Sequence, residues 1–240
     1  QGPHAAALSE KKMEKYKRSE WSQISIPIGL RNVPEEFAEA LFLLANGAYE
    51  KAARTAERFT RRKLVTGGVR GETREWVFNA RLVSARAYLE SERPLETLSI
   101  LKKLDSEKKF IPRVLRPHII FLEAQAWEAL GRNRAAAQKF ESIQTAGILA
   151  KTVRASTARA WFAAEDCGRG GYATEILRTH HPRHPDLPKL LYQKTRCEEA
   201  ESRFAESILN YHEIWTRYPL DPAALAAEKR LTYLRKKGFK

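Results

Sequence analysis

The sequence predicts an all-α protein, a superhelical solenoid of stacked antiparallel helix pairs, on three observations. From Pro34 onwards, apolar residues recur three or four positions apart, which is the period of a helix. Glycine or proline bounds almost every such segment, as expected at helix ends. Similar turn sequences return at intervals of 32 to 45 residues, which indicates about five divergent repeats.

The 240 residues are expected to fall into two parts. Residues 1–33 are predicted to hold a helix at 9–20 and an extended connector, and residues 1–4 are typical of the remnant of a cleaved tag. A repeat domain is predicted for 34–240. Its helices are expected at 34–45, 49–63, 72–91, 94–105, 115–130, 133–145, 148–166, 172–179, 187–200, 203–217 and 222–237.

The repeats can be aligned on a small residue near the start of the second helix of each pair. A similar turn precedes most of these positions, and a degraded copy of it lies at Gly170, Gly171 and Tyr172. The alignment gives spacings of 45, 39, 39 and 32 residues. The aligned residues are Ala52, Thr97, Ala136, Glu175 and Ser207.

Two further positions recur in the first helix of a pair. In the second repeat a small residue, Ala85, is followed three positions later by an aromatic one, Tyr88. Small residues let two helices approach closely, and the aromatic ring fills the gap to the next pair. The third repeat has Trp127 at the aromatic position, whereas Leu43 and Asp166 occupy it in the first and fourth repeats.

This pattern resembles the tetratricopeptide repeat, which uses about 34 residues per helix pair. The resemblance implies that the first helix of each pair lines a concave face and contacts a partner there. Arg86, Lys189 and Arg196 are the best candidates for binding. The full set of binding residues that the resemblance implies is Arg86, His118, Gln125, Lys189, Tyr192 and Arg196.

The C-terminal stretch 208–228 has a second resemblance. Its turn, Tyr218-Pro219-Leu220-Asp221-Pro222, is similar to a turn in the superhelical region of soluble lytic transglycosylases and in the lipoprotein of the outer-membrane β-barrel assembly machinery. That resemblance implies a periplasmic location, with the cytoplasm as the alternative. The transglycosylase motif Gly-Leu-Met-Gln is absent, since Met13 is the only methionine, so we expect no catalytic residue in this chain.

The charge of the chain favours an anionic partner. Lys and Arg number 43 against 29 Asp and Glu, which gives a formal net charge of +14. We expect a scaffold that binds a protein partner or anionic peptidoglycan through a basic concave surface. The alternatives are the substrate-positioning part of a lytic transglycosylase and a helical repeat that binds nucleic acid. No stretch approaches the roughly twenty apolar residues of a membrane span, so no transmembrane segment is expected.

Two groups of titratable residues could in principle form a metal site or an acid/base pair, but both are given a simpler interpretation. His180, His181 and His184 lie in a proline-rich run and are interpreted as solvated, because a metal site needs three or four converging ligands. The acidic run at 198–201 is interpreted as the solvated face of a helix. No metal or cofactor is therefore expected.

The cysteines and tryptophans are given structural interpretations. Cys167 and Cys197 belong to no C-x-x-C pair and are interpreted as buried thiols. The alternative is that they form one disulfide, if they lie on neighbouring helices. The glycine-rich segment 66–71 is interpreted as a flexible loop between repeats. Four tryptophans on helix faces are expected in the core, at positions 76, 127, 161 and 215.

Overall fold

The computed structural model describes residues 33–65, 72–144 and 148–239, and within these ranges it contains helices and no strand. Two short 3-10 turns, Lys108–Phe110 and Arg113–Leu115, connect the fourth and fifth helices. The predicted helix at 9–20, most of the connector and the loop 66–71 lie outside the described residues. The α-helices of these ranges are Glu35–Ala45 (α1), Tyr49–Val65 (α2), Glu72–Glu90 (α3), Pro94–Ser106 (α4), Arg116–Ala129 (α5), Asn133–Glu141 (α6), Ile148–Ala163 (α7), Cys167–His180 (α8), Leu187–Ala200 (α9), Phe204–Arg217 (α10) and Pro222–Lys236 (α11).

The chain divides into two compact units, the first ending at Gly131 and the second beginning at Arg132. In the first unit each helix from α1 to α5 packs against the next along the chain. Alternate helices also touch, since α1 contacts α3 and α3 contacts α5. At the core, the Phe37 ring centroid lies 5.7 Å from that of Phe59 and 5.6 Å from that of Trp76.

The second unit repeats this packing order from α6 to α11. Here α7 contacts α9, and α9 contacts α11, in addition to the packing of chain neighbours. The side chains of Trp161, Leu177, Leu187 and Tyr211 are fully buried. Packing in chain order within each unit is compatible with a helical repeat solenoid.

The same kind of turn recurs between helices along the chain. In each copy, a residue with left-handed φ lies two positions after the last residue of a helix. At the second of these turns, the Arg93 amide donates to the Tyr88 carbonyl at 2.9 Å and the Glu92 amide donates to the Leu89 carbonyl at 3.1 Å. This pair of hydrogen bonds is the Schellman cap. The left-handed residues between helices are Gly47, Glu92, Gly131, Glu165 and Ser202, at spacings of 45, 39, 34 and 37 residues.

A buried small residue follows each of these left-handed residues by five positions. A second buried small residue lies twelve positions before the first small residue. In the second repeat the two touch directly, since the Thr97 hydroxyl donates to the Ala85 carbonyl at 3.0 Å. Within each unit, such residues let the two helices of a pair pack closely. The later residues are Ala52, Thr97, Ala136, Gly170 and Ser207, and the earlier ones are Ala40, Ala85, Ala124, Ala158 and Thr195.

The sequence alignment of the fourth repeat is wrong by five residues. The small residue is Gly170 rather than Glu175, and the aromatic one is Trp161 rather than Asp166. Asp166 is instead the N-cap of α8, where its carboxylate accepts the Arg169 amide at 3.0 Å. A Cβ atom on Gly170 would lie 2.6 Å from the Phe162 ring, so this glycine serves close packing inside a helix rather than a turn.

Most predicted helix boundaries agree with the structure within a few residues. The prediction 133–145 is wrong at its end, because that helix ends at Glu141, and the largest single difference lies at the fourth repeat. The helix predicted for 148–166 ends at Ala163, and the one predicted for 172–179 begins at Cys167. Of the tryptophans expected in the core, Trp161 is fully buried and Trp76 packs against the core of the first unit. The expectation is wrong for Trp215, which is 40% exposed.

Candidate functional site

The residues predicted to bind a partner form two separate sets, one in each unit. In the first unit, Arg86 on α3 donates to the side-chain oxygen of Gln125 on α5 at 2.9 Å. The other terminal nitrogen of Arg86 forms an ion pair with Glu90, one helical turn away. The Arg86 side chain is only 18% exposed. Its charge is therefore neutralised within the protein, which weakens it as a binding group for an anion.

His118 does not add a positive charge to this set. The ring is half-buried on α5, two helical turns before Gln125, and its Nδ1 atom is buried with no hydrogen-bond partner among the described residues. Burial lowers the pKa of His118 to about 4 because it disfavours the charged imidazolium. The ring is therefore neutral at pH 7.

In the second unit, α9 carries all three predicted residues. Lys189 is exposed and forms no ion pair with any other described residue. Arg196 is 51% exposed, and its Nε atom lies 3.8 Å from the Glu199 carboxylate, which is too far for a hydrogen bond. Tyr192 is half-buried, with its ring centroid 5.6 Å from that of Tyr211.

Sequence reasoning missed one residue on this face. Gln193 lies four positions after Lys189 and three before Arg196, so the three share one side of α9. The side-chain oxygen of Gln193 is buried without a hydrogen-bond partner among the described residues. We call Lys189, Gln193 and Arg196 the α9 face. The i, i+4, i+7 spacing of polar residues was a signal that could have found Gln193.

A buried carboxylate anchors α9 to its neighbours. Glu199 accepts the Tyr211 hydroxyl of α10 at 2.9 Å, and two nitrogens of Arg230 on α11 also donate to it. The hydrogen bond from Arg230 is the main cause that lowers the pKa of Glu199. Because Arg230 compensates Glu199, the exposed charge of Arg196 is not needed for that purpose.

The expectation that the acidic run at 198–201 is solvated is wrong for two of its members. Glu198 and Glu199 are both buried. Glu198 accepts from the Lys194 ammonium at 2.8 Å and from the Asn210 amide at 2.7 Å. Glu201 is exposed, as expected. The buried carboxylates therefore act in packing between helices, and each has a cationic partner.

A groove lies between α8, α9 and α10, and no residue of the α9 face is among its lining residues. It has a volume of about 470 Å³. We call it the disulfide groove, because Cys167 and Cys197 line it together with the exposed side chains of Tyr172 and Leu209. Its remaining lining includes four carboxylates and two cations, namely Glu175, Glu198, Glu201, Glu206, Lys194 and Arg203.

The charged side chains of the disulfide groove are paired with one another. Lys194 contacts Glu175 at 3.2 Å as well as Glu198. Arg203 contacts Glu201 at 2.9 Å and Glu206 at 2.6 Å. Both cations are therefore neutralised within the protein and the remaining charge is negative, so this groove is a weak candidate for binding an anion.

The two cysteines are joined. Cys167 at the start of α8 and Cys197 in α9 form a disulfide, with their Cα atoms 5.8 Å apart. The interpretation as two separate buried thiols is therefore wrong, and the alternative of one bridge between neighbouring helices holds. The Cα separation is typical of a disulfide.

The histidine run 180–184 begins at the last residue of α8. The expectation that these side chains are solvated is wrong for His184, whose side chain is only 8% exposed. Arg154 of α7 donates to the His181 Nε2 atom at 2.6 Å, which requires that nitrogen to be unprotonated. Burial is the main cause that lowers the pKa of His181 and of His184. No group of three or more His, Cys, Asp and Glu side chains with the geometry of a metal site occurs in the described parts of the chain.

No protein-family model matches this sequence, and no curated protein matches it either. Among the described residues, no helix is both long enough and apolar enough to cross a membrane.

Proposed function

We propose that this protein is a non-catalytic interaction scaffold of tetratricopeptide-like repeats, in which antiparallel helix pairs present the α9 face to an anionic partner. The partner carries closely spaced carboxylates, as in an acidic protein segment or an anionic cell-wall glycan. The single observation that carries the proposal is that Lys189 is exposed without an ion pair among the described residues and Arg196 is exposed beside a carboxylate that Arg230 already compensates, whereas Arg86 is paired internally. An exposed pair of cations on a rigid helix attracts anions and fixes their position.

Three further features support this assignment. The recurring turn and the small residues twelve positions apart match the steric logic of the tetratricopeptide pair. Gln193 lies between the two cations on the same side of α9 and adds a polar side chain there. The disulfide favours an oxidising compartment, and we propose the periplasm.

A second candidate function is the glycan-positioning part of a peptidoglycan lytic transglycosylase. It is favoured by the turn that resembles the helical region of those enzymes. In the structure Tyr218 is the C-cap of α10, and the Asp221 carboxylate caps α11 by accepting the Ala223 amide at 2.8 Å. In that case the partner of the α9 face is the glycan, and the chemistry belongs to another domain.

Binding measurements with three anionic probes test the proposal. The probes are a poly-glutamate peptide, a muropeptide with free carboxylates and a single-stranded oligonucleotide, each titrated at low and at high salt. We expect the peptide or the muropeptide to bind, with an affinity that falls as salt rises. The variant Lys189→Glu/Arg196→Glu should lose roughly tenfold or more in affinity.

The matched control is Lys51→Glu/Arg134→Glu. It changes the net charge equally, at two exposed cations that lie on the second helices of their pairs and have no partner among the described residues. If the control weakens binding as much as the α9 variant, the attraction is unspecific and the proposal fails. It also fails if neither carboxylate probe binds, and preferential binding of the oligonucleotide would favour the nucleic-acid alternative instead.

A further inference from the structure

A second groove lies in the first unit, between α2, α3 and α4, with a volume of about 310 Å³. This size falls at the lower end of small-molecule sites in proteins. We call it the basic groove, after the three cations among its lining residues. The lining residues are Glu57, Thr60, Arg61, Leu64, Arg81, Ser84, Ile100 and Lys103.

The hydroxyl groups of the basic groove already have acceptors. The Thr60 hydroxyl donates to the Ala56 carbonyl at 2.9 Å, one turn earlier in α2. The Ser84 hydroxyl donates to the Ala53 carbonyl at 3.3 Å, from α3 to α2. These donors are used inside the protein, so both side chains contribute mainly carbon surface to a ligand.

Two of the four charged residues in the lining are also committed. Glu57 accepts the Tyr88 hydroxyl at 3.0 Å. Arg81 donates to Glu107 at 2.6 Å, with only 15% of its side chain exposed. Neither group is free to be the main partner of a ligand charge, because rearranging it would break a partly buried hydrogen bond.

Arg61 and Lys103 are the uncommitted charges. Both are exposed, and neither has an ion pair or a hydrogen bond with another described residue. They come from different helices, α2 and α4, so two walls of the groove carry positive charge. Leu64 and Ile100 contribute apolar surface to the same groove.

We propose that the basic groove binds a single-chain amphiphile whose alkyl chain lies on Leu64 and Ile100 and whose carboxylate contacts Arg61 and Lys103. Apolar lining excludes a strongly hydrated ion such as phosphate alone, because its hydration would be lost without replacement. Three cations against the one carboxylate of Glu57 leave the lining positively charged, which favours an anionic amphiphile over a neutral or cationic one. This inference is independent of the α9 face and of the function assigned to it.

Calorimetric titration with decanoate tests the inference, with decanol and decyltrimethylammonium as probes of equal chain length. We expect saturable binding of decanoate at a ratio of one to one, and weaker binding of the other two. Replacing Arg61 by Gln or Lys103 by Gln should each weaken decanoate binding roughly three- to tenfold. Leu64→Ser should weaken all three probes.

Matched controls exist on the same two helices. Lys51 and Lys102 are exposed lysines of α2 and α4 without partners among the described residues, and neither lines the groove. Lys51→Gln and Lys102→Gln should leave the affinity for decanoate unchanged. The inference is overturned if these controls weaken binding as much as the groove variants, if decyltrimethylammonium binds as well as decanoate, or if decanoate does not saturate. Binding to vesicles of anionic phospholipid without binding of decanoate would also overturn it.

Discussion

The basic groove and the disulfide groove lie between corresponding helices, namely the second helix of one pair and both helices of the next. Each has a glutamate five residues after the small residue of its first wall, at Glu57 and at Glu175. In the first unit a neutral hydroxyl, that of Tyr88, binds this carboxylate. In the second unit the Lys194 ammonium does so, and it also binds the buried Glu198.

The two grooves have corresponding positions in the repeats, but their charged side chains are paired differently. The cations of the disulfide groove have acids within reach. The ion pair between Lys194 and Glu175 and the disulfide both join α8 to α9. In the basic groove Arg61 and Lys103 have no such acids. We infer that a repeat groove stabilises its own unit when its charges are paired internally, and is available to a ligand when they are not.

The largest expected effect comes from removing the central cation of the disulfide groove. Lys194→Met leaves Glu198, whose side chain is 3% exposed, without a compensating charge. We expect a loss of about 3–5 kcal/mol in the free energy of unfolding, as found for broken buried ion pairs. Lys103→Met in the basic groove should change it by less than about 0.5 kcal/mol. Urea unfolding of both variants measures the difference, and equal losses would contradict the comparison.

The disulfide should have the next largest effect. It closes a loop of 30 residues between Cys167 and Cys197, for which the chain-entropy relation gives about 3–4 kcal/mol. We expect the double variant Cys167→Ala/Cys197→Ala to unfold at correspondingly lower urea concentration. A reducing agent should destabilise the wild type by a similar amount and leave the double variant unaffected. If reduction changes neither protein, the bridge does not hold the second unit together.

Two adjacent glycines of α8 offer a sharper test of the packing. A Cβ atom on Gly170 would clash with the Phe162 ring, whereas one on Gly171 would lie 3.7 Å from the Lys194 side chain, which is ordinary contact. We expect Gly170→Ala to cost about 1–3 kcal/mol through overpacking. Gly171→Ala should be neutral or stabilising by up to about 1 kcal/mol, through helix propensity. Thermal unfolding distinguishes them, and a tolerated Gly170→Ala would count against the corrected repeat register.

The smallest expected effect concerns pH in the first unit. The pKa of His118 is lowered from 6.5 to about 4 in the folded protein. As the pH falls, this imidazole therefore takes up a proton in the unfolded chain at a higher pH than in the folded protein. Its contribution to stability is therefore complete above pH 6.5 and is lost as the pH falls towards 4. We expect this loss to be about 1–2 kcal/mol, after discounting for the exposure of the ring.

The variant His118→Gln isolates this contribution, because His181 and His184 of the second unit also have lowered pKa values and act in the same direction. Unfolding free energies measured between pH 7 and pH 4 should fall less steeply for the variant than for the wild type. Identical slopes would mean that His118 titrates normally in the folded state.

The sequence predicted the helices well where periodicity and end signals agree. Leu187–Ala200 matches its prediction, and Pro222–Lys236 differs from its prediction by one residue, because proline marks the first turn of each. The fourth repeat was misread, because adjacent glycines usually indicate a turn. Only the position of the Phe162 ring reveals why glycine occurs inside α8.

The sequence predicts the positions of the candidate binding residues, but it does not predict whether an ion pair neutralises the charge of each one. Arg86 and Arg196 follow the small residues Ala85 and Thr195 directly, so sequence reasoning treats them alike. Arg86 is paired with Glu90, whereas the acid near Arg196 is already compensated by Arg230. Arg230 lies 31 positions after Glu199, and no local sequence pattern links these two residues. The basic groove was missed for the same reason, since three helices contribute to it.

Three of the recurring turns use a side chain where the backbone prefers glycine. Glu92, Glu165 and Ser202 have φ near +60°, a conformation that costs an L-residue roughly 1–2 kcal/mol. None of them lines the basic groove or the disulfide groove. These positions therefore offer a route to a more heat-resistant protein for structural work, since glycine there relieves strain without changing a residue that lines either groove.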